Sequence, residues 1–289
     1  ELIKFHDKNY KKILLVPLIL LLFCFGYMGY FYSVHHDFFY KDISLTGGTS
    51  VTINEKINLL DLENAVSNKL ENTNVREILD LITKEQIAVI VETRSDEQQA
   101  RKVLEEYLGY KLTTENSSFE FTGSTLSENF YNQLLIALLI AFVLMSLVVF
   151  IQFKTFIPSL AVILSVFADI LMSLVLVNIL GIRISSAGIV AFLALIGYSV
   201  DTDILLTNKV LRREGSVNKK IFESFKTGIT MTLTAILAVV SALLIAGPFS
   251  STLYQIFLIM AIGLGFDIFN TWITNVSIIK WYALKKEKK

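Results

Sequence analysis

Cysteine is nearly absent: the single Cys24 has no intrachain partner, which excludes a disulfide-built scaffold. Net charge is absent as well. The 26 basic side chains balance 26 acidic ones, so no overall positive field exists to hold nucleic acid. Charge of either sign is scarce, at 18% of residues against about a quarter in an ordinary soluble chain. Only three prolines occur (Pro17, Pro158 and Pro248), each at or near the end of an apolar run, where a missing N–H costs least. Apolar side chains dominate instead: 53% of residues are hydrophobic and the mean hydropathy is +0.58, which excludes a disordered chain. These proportions describe an integral membrane protein.

A transmembrane helix needs about 20 apolar residues to cross the hydrocarbon. Six segments qualify: Ile13–Val34, Tyr131–Phe153, Ile157–Leu180, Ile184–Leu206, Gly228–Phe249 and Leu253–Ile279. Tyr27, Tyr30, Tyr32, Tyr131, Trp272, Trp281 and Tyr282 fall near the proposed boundaries, where an aromatic belt is expected. Short-loop cations set the orientation. Lys4, Lys8, Lys11, Lys12, Lys154, Lys209, Arg212, Arg213, Lys219, Lys220, Lys226 and the run from Lys280 lie on one side, and only Arg183 lies in the opposite short loops. The expected organisation is a cytoplasmic tail over 1–12 and a first membrane helix over 13–34. An extracytoplasmic domain over 35–128, five further helices within 129–282 and a basic cytoplasmic tail over 283–289 complete it. The first span lacks an obvious small-residue cleavage site, so it reads as a retained anchor.

Between the first two spans the periodicity changes. Thr49–Ile53 alternates as a strand, and Asn58–Leu70 reads as a helix capped by Asn58. Val75–Ile82 and Ile87–Glu92 read as strands around a Thr83-Lys84-Glu85 turn. Ser95–Leu108 is a second helix with Ser95 as its N-cap, and Lys111–Phe121 holds a last strand. The order β-α-β-β-α-β predicts a small ferredoxin-like α+β domain, a fold that fixes no function by itself.

Carboxylates inside apolar spans are the sharpest chemical signal. Each costs about 2.5–3.5 kcal/mol on insertion scales, and such groups usually line a cavity or a proton path. Four occur: Asp169, Asp201, Asp203 and Asp267. Their spacing from the span ends lets them cluster in the middle and inner half of a bundle; a purely structural, hydrogen-bonded role is the alternative. Residues two apart on a helix point about 200° apart, so Asp201 and Asp203 cannot share a face. Asp201 lies with Gly197, Tyr198 and Leu205; Asp203 lies with Ser199 and Thr207. Lys226 has a stem long enough to reach inward to a carboxylate, or it marks the cytoplasmic boundary. Thr227, Thr230 and Thr234 form a polar stripe that glues helices or lines a proton wire. His35-His36 stands alone, and Gly47-Gly48 lacks the lysine of a phosphate loop. No nucleophilic triad, metal motif or nucleotide fingerprint appears, so neither an enzyme nor a metal nor a cofactor is expected.

Several motifs together resemble one family. Asp42-Ile43-Ser44-Leu45-Thr46-Gly47-Gly48-Thr49 resembles the D-F-T-G-G-T signature that follows the first span of the SecF branch of the SecD/SecF protein-export family, within the RND superfamily. Ile196-Gly197-Tyr198-Ser199-Val200-Asp201-Thr202-Asp203 resembles that branch's I-G-Y-S-(I/L)-N-D-T. Asp169 matches the aspartate of its third-span H-D pair, and the segment Lys226 to Thr234 matches R-T-I-N-T-S-L-T-T with lysine in place of arginine. Thr202 stands at the bacterial key-aspartate position with a carboxylate on either side, a form that looks archaeal.

The resemblance implies a subunit paired with SecD beside a SecYEG-type translocon in the cell membrane. It would use the proton motive force to help unfolded preproteins cross the lipid bilayer. The expected mechanism has Asp201, helped by Asp203 and Asp169, bind and release a proton at the interface with SecD, with Asp267 a further candidate and Lys226, Tyr198, Thr202, Thr230 and Thr234 in support. Two other readings stay open: an RND-type half that exports a small molecule or lipid, and a passive scaffold that stabilises the translocon.

Overall fold

The computed structural model describes residues 10, 12–80, 83, 85–212, 215–246 and 250–287. Lys4, Lys8, Lys11, Lys84, Arg213 and Pro248 lie outside them, as does the far end of the strand expected to reach Ile82. Among the described residues, six helices are long and apolar enough to cross a membrane. The first is α1, Leu15–His35. A short helix α2, Ile43–Thr46, leads into a domain made of β1 (Gly48–Ile53), α3 (Leu59–Ser67), β2 (Asn74–Leu79), β3 (Gln86–Thr93), α4 (Glu97–Leu108) and β4 (Ser117–Thr122). The remaining spans are α5 (Ser124–Phe153), α6 (Phe156–Ile179), α7 (Ser186–Arg212), α8 (Val217–Ala246) and a sixth. The sixth runs through α9 (Ser251–Phe269), a π-helical segment Asn270–Asn275 and α10 (Val276–Glu287).

The sheet order is β2-β3-β1-β4 with every pairing antiparallel, and with α3 and α4 this is the ferredoxin-like arrangement. Val51, Ile53, Val89 and Val91 alternate inward from the two central strands and meet Leu62, Val66, Ala100 and Leu104 of the helices, all at 0% exposure. Asn58 caps α3 by accepting from Leu60 N–H, as its spacing predicts. For α4 the cap is Asp96, which accepts from Gln99 N–H at 2.7 Å. Ser95, the expected cap, is buried and accepts from Glu71 N–H instead, tying the end of β3 to the turn after α3. The last strand begins at Ser117, because the residues from Lys111 onward form a turn pinned by Asn116.

Hydropathy marks only the oily part of each span, so several helices outrun their expected bounds. The second starts at Ser124, the fourth continues to Arg212, and the fifth starts at Val217, with polar turns extending past the apolar stretch. Spans three and four are the most enclosed, while spans two and five are exposed around most of their circumference. Trp272 and Tyr131 are not belt residues. Trp272 is 8% exposed and lies where α8 comes closest at Gly228; Tyr131 is 8% exposed and carries Lys41 Nζ over its ring at 4.1 Å.

The domain is bolted to the bundle. Tyr40–Asp42 makes a short parallel bridge to the loop between spans three and four, through Ile184 N–H to Tyr40 O (2.7 Å) and Asp42 N–H to Ile184 O (3.0 Å). Gln255, near the start of span six, accepts from Ser185 N–H and donates to Arg183 O, which locks the same loop to span six. On the sheet, Glu92 is 5% exposed, ion-paired to Arg76 and bonded by Asn74 Nδ2 at 3.0 Å. Burial, and then the negative charge of Asp42, push the Glu92 carboxyl above the ordinary glutamate range despite the arginine. A carboxyl raised on folding contributes stability that is complete below its unfolded value and is lost as pH rises through the folded one. The domain is therefore expected to weaken from acid towards neutral pH. Glu92→Gln should flatten that slope in a pH series of thermal midpoints.

Candidate functional site

Three of the four intramembrane carboxylates meet inside the bundle. Asp169 on span three, Asp203 on span four and Asp267 on span six are each 0% exposed, and every bond they make crosses between helices or bridges one turn. Asp169 accepts from Ser199 Oγ of span four and from Asn270 Nδ2 of span six, the latter at 2.8 Å. Asp203 accepts from Thr271 Oγ1 at 2.8 Å and from Asn275 Nδ2 at 2.7 Å. Asp267 lies 3.2 Å from Thr271 Oγ1 and accepts from Thr232 Oγ1 of span five at 3.2 Å. Thr271 therefore stands between two carboxyls. Buried polar groups without partners cost about 1–3 kcal/mol each, so a network of this kind fixes how the four helices dock.

The π segment explains why one helix supplies so many of these groups. Widening the turn inserts a residue and rotates the rest of the helix, so Asn270, Thr271, Thr274 and Asn275 all point inward at 6% exposure or less. Periodicity at 3.6 residues cannot foresee that rotation, and Asn270, Thr271 and Asn275 carry no signal in the sequence beyond being polar in an apolar run. Ser199 is different: it is one turn from Asp203, on the stripe Ser199–Asp203–Thr207 that the spacing predicts.

Asp201 lies outside the cluster. It is exposed on the opposite face of span four, in line with the exposed Ala194 and Gly197, as the 200° separation from Asp203 requires. Tyr198 is half-buried beside Thr232. Thr202 is 0% exposed and packs towards Gly228 and Trp272. The stripe Thr227, Thr230 and Thr234 faces outward from span five, each hydroxyl donating back to its own helix. Thr232, on the other face, is the threonine that enters the cluster. Among the described residues Lys226 reaches no carboxylate: its Nζ sits over the Phe222 ring at 4.6 Å, on the exposed side. Lys209, rather than Lys226, crosslinks the helices there, donating to Thr227 Oγ1 at 2.9 Å.

The motif before β1 is a joint. Asp42 is 8% exposed and caps α2 by accepting from Ser44 N–H at 3.0 Å. Thr46 donates to Asp42 O, and Thr49 donates to Ser95 O at 2.8 Å. Gly47 has φ +78°, and a Cβ on it would stand 2.5 Å from Ser124 Cα at the start of span two. Gly48 has φ +141°, and a Cβ on it would stand 2.2 Å from the Thr93 carbonyl oxygen. Both positions need glycine for backbone freedom and for space.

Comparisons with known proteins agree with this architecture. The family model described as "Protein export membrane protein SecD/SecF, C-terminal" matches residues 102–285. A protein named "Protein-export membrane protein SecF" from Methanocaldococcus jannaschii is 34% identical over 98% of this chain and 99% of its own. One of the same name from Haloquadratum walsbyi is 33% identical, covering 96% of this chain and 94% of its own. The crystal structure of SecDF, a translocon-associated membrane protein from Thermus thermophilus, superposes with a TM-score of 0.73 at 18% identity. It covers 95% of this chain, which spans only 38% of that longer one, and at this identity the likeness is one of fold. With six helices long and apolar enough to cross a membrane among the described residues, a small antiparallel sheet between the first two and relatives aligned over nearly its full length, the chain is a multi-pass membrane protein that belongs to the SecD/SecF family of protein-export membrane proteins.

Proposed function

We propose that this chain works with a SecD-type partner beside a SecYEG-type translocon, coupling proton movement to the passage of unfolded preproteins across the membrane. In this reading both termini are cytoplasmic and residues 35–128 face outward, as the lysine and arginine distribution favours. Thr271 carries the proposal. A hydroxyl has one proton to give, yet two carboxyl oxygens lie 2.8 and 3.2 Å from Thr271 Oγ1. Both contacts become hydrogen bonds only when Asp203 or Asp267 itself holds a proton and donates it. Releasing that proton breaks one of the two bonds, the one between spans four and six when Asp203 carries it, and biases the helices towards a second packing. Gln255 and Ile184 connect those same helices to the base of the outer domain, so repacking would tilt the domain against its partner's.

The exposed stripe Ala194–Gly197–Asp201 of span four and the outward threonines of span five support a helical partner in the membrane. Small residues permit close approach, and a carboxylate facing lipid would be costly without a polar neighbour. An RND-type lipid or drug exporter would call for an apolar tunnel. The cavity of about 500 Å³ under the outer domain is instead lined by Lys41, Arg94, Glu71, Asp96 and Glu128 among others.

The test is gradient-stimulated export in vesicles carrying Asp201→Asn and Asp203→Asn, singly and together, with the partner identified by co-isolation. Loss of the stimulated component with a SecD-like protein co-isolating supports the proposal. Undiminished stimulation in the double variant overturns it in favour of a passive scaffold, and a homodimer favours the exporter.

A further inference from the structure

The joint between the sheet domain and span two holds a cavity of about 500 Å³, within the size range of small-ligand pockets. Gly47 and Gly48 of the joint motif line one part of it, and Ser124, Glu128 and Tyr131 of α5 line another. Its charges are mixed: Lys41 and Arg94 stand with Glu71, Asp96 and Glu128. Two of these are committed elsewhere. Lys41 Nζ pairs with Asp37 at 2.8 Å, and Asp96 accepts from Gln99 N–H. Among the described residues, the side chains of Arg94, Glu71 and Glu128 make no ion pair or hydrogen bond, and all three are exposed. A guanidinium and two carboxylates are thus available to a ligand.

The start of α5 adds donors. This 30-residue helix begins after Gly123, which offers no side-chain cap, so its first N–H groups lack an acceptor from the capping residue. Ser127, in the same turn, is 1% exposed and its Oγ has no hydrogen-bond partner among the described residues. Ser124, Ser127, Glu128 and Tyr131 follow the spacing i, i+3, i+4, i+7 and so lie on one face, and three of them line the cavity. A buried hydroxyl, uncapped N–H groups and a guanidinium suit a phosphate. Glu71 and Glu128 suit an ammonium group. A ligand carrying both charges matches this wall, whereas a purely anionic one would face two unpaired carboxylates.

The position of the cavity on span two decides what bears those charges. Further along α5, Ile136, Leu139, Ile140 and Val143 are each more than half exposed and again share one face. Leu139 lies about three turns past Glu128 and within about 20° of it around the helix axis. A charged chamber therefore opens over an apolar stripe on the same side of one membrane helix. A phospholipid has that shape, with a polar headgroup above a hydrocarbon chain.

We propose that this cavity holds the headgroup of an amine-bearing, zwitterionic phospholipid from the leaflet on the sheet domain's side. Arg94, the Ser127 hydroxyl and the start of α5 take the phosphate, Glu71 and Glu128 take the ammonium group, and one acyl chain lies along the stripe at Leu139 and Val143. The assignment concerns lipid alone and stands apart from proton coupling and export.

Native mass spectrometry of the full chain in detergent micelles, titrated with dioleoyl phosphatidylethanolamine or dioleoyl phosphatidylglycerol, tests it. The ethanolamine lipid should bind about tenfold more tightly than the glycerol lipid. Arg94→Gln should weaken the ethanolamine lipid about tenfold, and Glu71→Gln with Glu128→Gln should erase the preference between the two lipids. These side chains are exposed, so the fold should survive the changes, and Lys102→Gln, at an exposed site on α4, should alter neither affinity. Equal binding of the two lipids by the unmodified chain, or a preference untouched by the double carboxylate variant, would overturn the proposal. Soluble glycerophosphoethanolamine binding as tightly as the whole lipid would overturn it as well, since the apolar stripe would then contribute nothing.

Discussion

Gly48→Ala is expected to cost the sheet domain about 3 kcal/mol or more, enough to separate it from the bundle as a protease-sensitive unit. Two penalties combine. The φ of +141° is one that L side chains rarely adopt, and the new methyl would sit 2.2 Å from the Thr93 carbonyl oxygen. Neither neighbour can give way cheaply, because β1 is held on both edges, with Thr49 opposite Thr93 and Gly48 opposite Thr122. Gly109→Ala is the matched control. It has φ +78° at the end of α4 with nothing within 4 Å, so it should cost only about 1 kcal/mol of conformational strain. Thermal midpoints and trypsin cleavage within residues 48–122 read both variants. Equal losses at the two glycines would show that the close approach to Thr93 contributes nothing.

Thr271→Val is expected to be the most damaging isosteric change in the bundle. The side chain keeps its shape, so packing is preserved, while Asp203 and Asp267 lose their common hydroxyl at 0% exposure. Asp203 retains Asn275 and Asp267 retains Thr232. Leaving buried carboxyl oxygens unbridged should still cost about 2–4 kcal/mol. Unfolding by denaturing detergent, followed through Trp272 at the next position, measures it. A double-mutant cycle with Asp267→Asn should show a coupling of about 1 kcal/mol or more, since Thr271 Oγ1 lies 3.2 Å from the Asp267 carboxyl. Additive losses would mean that the three groups do not act as a unit.

Much of this architecture is legible in the sequence, and particular residues show where legibility stops. The six spans stand out because hydrocarbon thickness imposes a length, and the sheet domain stands out because apolar residues alternate at period two around turns. The stripe Ser199–Asp203–Thr207 and the opposed face of Asp201 follow from helix geometry alone. Features that depend on a partner element are the ones that fail. Ser95 looks like a cap until Glu71 claims its hydroxyl. Trp272 looks like a belt residue until a glycine on α8 makes room for it inside the bundle. The outward threonines of span five are as regular as any polar stripe, yet Thr232, off that stripe, is the one that bonds a carboxylate. Asn270, Thr271 and Asn275 are hidden most completely. Their common direction is made by the π turn, a local departure from the helical period that no periodic pattern announces.

In the proposed mechanism, one proton held among the three enclosed carboxyls is the centre of the coupling. Infrared difference spectroscopy of the whole chain in lipid, stepped in pH, follows the carbonyl stretch of protonated carboxylic acid directly. The prediction is a band that vanishes as pH rises, is lost or shifted in Asp203→Asn and Asp267→Asn, and persists in Asp201→Asn. A band that never changes with pH, or one that only Asp201→Asn removes, would contradict it.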